Sequence, residues 1–137
     1  MPTTQGLRAL EHAERLAIEC NIASKLFPDY EQSRLADQLR RAATSVALNI
    51  AEGSCRSSYK DYRRFLDTAH TGLKEVSTIL RVAAGSSYID AELYARLEAL
   101  RDETSRTVYG LLRAVTQRIE RGETTRALFK KKRIDSS

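Results

Sequence analysis

Tryptophan is missing from this chain, and cysteine and proline each occur only twice in 137 residues, with six glycines and three phenylalanines beside them. So little proline and glycine leaves few turns, which excludes a sandwich or barrel of many short strands and favours long helices. Two cysteines cannot frame a small disulfide-stapled fold, and a 15.4 kDa chain has no need of one. Cys20 and Cys55 are expected to stay unpaired, in keeping with a cytoplasmic protein. No run approaches the roughly 20 apolar residues of a membrane span, and the N-terminus lacks a hydrophobic secretory segment, so no membrane partner is expected. With only His12 and His70 as imidazoles, no paired-cysteine signature and no glycine-rich phosphate loop, no metal, cofactor or small-molecule substrate is expected either.

What the chain has is helical periodicity. Leu35, Leu39, Ala42, Ala43, Val46 and Ile50 recur three or four apart, which gathers them on one side of a helix. The opposite side carries Arg40, Thr44, Ala47 and Ala51, mostly small, so a second helix can approach closely. Between the two faces runs a polar flank, Ser45, Asn49 and Glu52, expected to act structurally by satisfying hydrogen bonds at a buried contact.

The remaining segments repeat the theme. Residues 1–6 are expected to be loose, with Thr3 or Thr4 as a cap, and a first helix is expected over about 7–26, ending where Phe27 precedes Pro28. Its core stripe is Ala13, Leu16, Ala17, Cys20, Ala23 and Phe27. A second apolar line, Ile18, Ile22 and Leu26, points elsewhere and asks for another partner. Ser33 is the expected cap of a second helix over 33–53, which Gly53 ends. The serines of Ser54 to Ser58 cap a third, over 59–84, with Gly85 as its terminator. Asp90 caps a fourth, over 90–121, whose stripe runs from Leu93 to Ile119 with Thr104 as its one polar member. The fold class predicted is all-α, an antiparallel up-down-up-down four-helix bundle over 7–122.

The run QLRRAATSVALNIAEG at Gln38–Gly53, followed by RFLDTAHTGLKE at Arg64–Glu75, resembles the signature of a bacterial family of small four-helix-bundle proteins. Its members are encoded by intervening sequences in 23S ribosomal RNA genes, and the resemblance covers about 13–119. One departure is visible: Thr71-Gly72 stands before Leu73 where the family pattern has a Gly-Ser pair. More distantly, the architecture is similar to the accessory variability protein of diversity-generating retroelements, a ring of five subunits that binds nucleic acid. These resemblances imply a ring, a homopentamer; the residues themselves ask only for more than a monomer, with the surplus apolar line Ile18, Ile22 and Leu26 and the small face Thr44, Ala47 and Ala51 expected at the subunit interface.

The net charge of +5 points to anionic partners. Along the predicted third helix Lys60, Arg63, His70, Lys74 and Arg81 line one side, interrupted by Asp67, over about 30 Å. They form the expected nucleic-acid contact, with RNA the first partner and DNA the second. Arg40, Arg41, Arg56 and the tail cations Lys130, Lys131, Lys132 and Arg133 assist. The tail over 123–137 loses periodicity and is expected to be disordered. A basic surface suits an acidic protein partner as well, which makes an interaction adaptor the alternative. An enzymatic alternative rests on Arg64 and His70, whose spacing resembles the Arg-x(4–6)-His motif of HEPN ribonucleases. Positions six apart diverge by about 120° on a helix, whereas Arg63 and His70, seven apart, share a face. The polar residue that often follows the arginine in those enzymes is not matched by Arg64 or Phe65, and no catalytic residue is assigned.

Overall fold

The computed structural model describes residues 3–126 and is built from four α-helices: α1 Thr4–Ser24, α2 Leu35–Ser54, α3 Tyr59–Gly85 and α4 Ala91–Glu120. A short 3-10 turn, Asp29–Glu31, sits between the first two. Each helix packs on its neighbours in the chain and α1 closes against α4, which is the square arrangement of an antiparallel bundle. The stripes meet at its centre: Leu16 and Cys20 of α1, Leu39, Val46 and Ile50 of α2, Leu66, Leu73 and Leu80 of α3, and Leu97 and Val108 of α4 are all buried. Thr104 is buried among them and spends its hydroxyl on the Leu100 carbonyl at 2.7 Å, so a polar atom in the core carries no unmet hydrogen bond.

The helix ends show where local signals were misread. Thr3 caps α1 by accepting from the Gly6 N–H at 2.9 Å, so residues 4–6 are the first turn of the helix rather than a loose lead-in. Ser33 is not the cap of α2. The helix starts after Arg34, which offers no side-chain cap, and the turn before it is laced from inside instead. Gln32 donates to the Ser24 and Phe27 carbonyls, both at 2.9 Å, and Arg40 donates to the Gln32 carbonyl at 2.7 Å. A guanidinium held by α1 and the loop thus fixes the corner that a serine was expected to fix.

Gly53 does not end α2, which runs on through Ser54. A Cβ there would stand 2.8 Å from Cβ of Phe65 and 3.1 Å from the Tyr62 ring, so the glycine is present to let α3 approach. Gly72 plays the matching part on α3, where a Cβ would stand 3.3 Å from Val46. α3 does end at Gly85, but not through a left-handed glycine. The left-handed residue is Ser87, φ 63°, with the Tyr88 N–H donating to the Ala83 carbonyl at 2.9 Å across the helix end. At the end of α4 the same closure uses Gly122, φ 82°.

The aperiodic tail is ordered further than expected. Thr125 bridges to Ser58, the Tyr59 N–H donates to the Thr124 carbonyl at 3.1 Å, and the Arg126 N–H donates to the Ser57 carbonyl at 2.9 Å. The segment 123–126 therefore crosses the α2–α3 corner as a strap.

Candidate nucleic-acid interface

The bundle presents the α3 stripe along one side. Lys60, Lys74 and Arg81 are exposed, while Arg63 and His70 are half-buried toward α4. The His70 ring lies 5.9 Å from that of Tyr109, which is half exposed on α4. Burial pushes the His70 pKa below its ordinary value of 6.5, with Lys74 and Arg101 acting in the same direction against Asp67. Among the described residues, Lys60, Arg63, Lys74 and Arg81 have no carboxylate within 4.0 Å. Their charge is free for an outside anion.

The cations expected to assist are placed differently. Arg40 is committed to the α1–α2 corner, donating to Ser24 Oγ at 3.0 Å as well as to Gln32. Arg41 is exposed and paired with Asp37 at 2.9 Å. Arg56 pairs with Glu52 and stacks over Phe65, with 4.8 Å from guanidinium to ring centre. Lys130, Lys131, Lys132 and Arg133 lie outside the described residues. Arg64, the other arginine before His70, is turned away from it and sits beside Asp61 at 3.6 Å.

Within one subunit the polar flank of α2 lies at the surface. Ser45 and Glu52 are exposed, and Asn49 folds back to donate to the Ser45 carbonyl at 2.8 Å and to Ser45 Oγ at 3.1 Å. Of the interface candidates, Ala47 and Ala51 are half-buried on the side from which Arg40 reaches Ser24 of α1. The close approach that their small size permits is thus used inside the subunit, by α1. Thr44 remains exposed. Ile18 and Ile22 are 60% and 56% exposed along the outside of α1, which ends at Ser24 rather than at 26, and Leu26, in the turn just beyond, is 63% exposed.

The residue that sequence reasoning missed is Arg126, only 5% exposed. Its guanidinium donates to the Ser54 carbonyl at 2.6 Å and the Arg56 carbonyl at 2.9 Å, and stacks over Tyr62 at 4.3 Å. The Ser54 carbonyl is the last of α2 and the Arg56 carbonyl follows just beyond it, at a helix end where unpaired acceptors and the negative pole of the helix dipole favour a cation. One arginine in an aperiodic tail carries no sequence signal of that role.

Among the described residues no histidine, cysteine, aspartate and glutamate side chains gather as a metal site, and no helix is long and apolar enough to cross a membrane. Fold and surface together define a small antiparallel four-helix bundle with a line of unpaired cations and an uncovered apolar row. The family model of the 23S rRNA-intervening sequence protein matches residues 5–110, and the chain belongs to that family. Among solved structures it is similar to a Bacteroides thetaiotaomicron protein of unknown function from the S23 ribosomal protein family. The TM-score is 0.74 at 20% identity, over 80% of this chain and 99% of that one, a likeness of fold. No curated protein matches the chain.

Proposed function

We propose that the chain is a non-enzymatic, homo-oligomeric protein that binds nucleic acid, RNA before DNA, as a scaffold. The observation that carries the reading is the α3 line of Lys60, Arg63, Lys74 and Arg81, none within 4.0 Å of a carboxylate among the described residues although Asp67 interrupts the line, set against the ion pairs that absorb Arg41, Arg56 and Arg64. Cations that are not internally neutralised release counterions when they meet phosphates, which gives a salt-dependent grip. The uncovered row Ile18, Ile22 and Leu26 favours association of copies, and a ring of five is the assembly that the resemblance implies. Association multiplies a weak basic line into a strong one by raising its effective concentration.

Competition between structured RNA, duplex DNA and an acidic protein surrogate tests the reading, with Lys60→Glu/Arg63→Glu/Lys74→Glu as control. RNA should compete best and the variant should bind it weakly. Unchanged RNA binding by the variant removes the α3 line, and preference for the acidic protein turns the reading into an adaptor. A nuclease reading has one observation in its favour, the shared side of Arg63 and His70 on α3. It requires RNA cleavage that His70→Ala abolishes.

A further inference from the structure

The charge of this protein is segregated along the bundle axis, and its basic end includes cations of α4 beside the start of the α3 line. Near mid-height His12 meets Glu103 at 3.7 Å and His70 lies beside Tyr109. The half that holds the start of α1, the end of α2, the start of α3 and the end of α4 comprises residues 3–12, 48–70 and 106–126. It carries ten lysines and arginines against six carboxylates, net +4. The other half, 13–47 and 71–105, carries nine against eleven, net −2. Lys74 and Arg81 belong to that acidic half.

Within the basic half, Arg106, Arg113 and Arg121 follow one another along α4 at intervals of about 10 to 12 Å. All three are exposed, and among the described residues Arg113 and Arg121 have no carboxylate within 4.0 Å. Arg8 of α1 shares a surface groove with Arg106, and the α3 pair Lys60 and Arg63 belongs to the same half. Tyr109, 50% exposed, puts an aromatic ring among these cations. Arg126 pins the strap to this end of the bundle.

We infer that a single-stranded RNA segment docks on this basic end, with Arg113 and Arg121 of α4 on its phosphates. The inference rests on the nucleic-acid reading above and adds α4 to its site. A cationic surface with an exposed aromatic ring suits a flexible strand, whose bases can unstack onto that ring.

The test is anisotropy of a labelled single-stranded RNA with the full chain, between 50 and 200 mM salt. Arg113→Glu/Arg121→Glu is expected to weaken binding about tenfold or more and to lower the salt slope by about 1.4, two single-strand phosphate contacts. Arg15→Glu/Lys25→Glu, in the other half, should bind within about twofold of the parent. Both pairs are exposed, and unchanged thermal unfolding confirms that each variant folds. If the α4 variant binds like the parent, or the Arg15/Lys25 variant loses as much, the inference is overturned while the nucleic-acid reading stands. A parent chain that binds no RNA overturns both.

Discussion

Arg126 shows how much one side chain can hold at the end of a helix. It places a charge where α2 leaves carbonyls unpaired, and it covers Tyr62, which is itself buried. Charge-assisted hydrogen bonds of this kind are each worth about 1.5 to 3 kcal/mol. Arg126→Ala should therefore lower unfolding free energy by about 2 to 3 kcal/mol in a urea titration, whereas Arg121→Ala, exposed at the end of α4, should change it by less than about 0.5 kcal/mol. Equal effects would deny Arg126 its clamp. Cys20 offers a second residue-scale reading. Burial pushes its thiol up to about 12, and the thiolate is the reactive form, so at pH 8 a thiol reagent should label exposed Cys55 alone until the chain is unfolded. For His70 the folded value lies below 6.5, so the unfolded chain takes up the proton first. Its contribution to stability therefore falls as pH drops below about 6.5 and levels off beneath the folded value. An NMR titration should place the midpoint under 6.5, and Lys74→Gln should raise it.

At the scale of elements, Ser87 holds a left-handed conformation that costs an L-residue about 1 to 2 kcal/mol. Ser87→Gly should raise the thermal midpoint, and Gly53→Ala should lower it, since the new methyl would meet the α3 backbone side of Phe65 at 2.8 Å. These two positions mark the limit of what was legible in the chain. The stripes Leu39, Val46, Ile50 and Leu66, Leu73, Leu80 declare themselves because burial repeats every three or four residues along one element. Gly53, Gly85 and Ser33 looked like punctuation because their residue types usually are. What decided them was tertiary: the approach of α3 to Gly53, the closure at Ser87, and a corner already filled by Arg40 and Gln32. The candidate site was legible only in part for the same reason. Periodicity places Lys60, Arg63, Lys74 and Arg81 on one side of a helix, but it cannot say that Asp37 neutralises Arg41, that α1 occupies the small face of α2, or that Arg113 and Arg121 share an end of the bundle with Lys60.

For the whole molecule the decisive feature is apolar surface left over after the core is built. Four helices bury the centres of their stripes, yet Ile18 and Ile22 of α1 and Leu26 just beyond its end remain more than half exposed. Covering three such side chains is worth on the order of 1.5 kcal/mol or more for each. A partner copy that covers them also brings its basic end into the same particle. Sedimentation equilibrium of the full chain at micromolar concentration and moderate salt measures this directly. The parent should sediment at a multiple of 15.4 kDa, and Ile18→Glu/Ile22→Glu should return to 15.4 kDa with its helical spectrum intact. A parent chain that sediments at 15.4 kDa as a folded monomer would contradict the account.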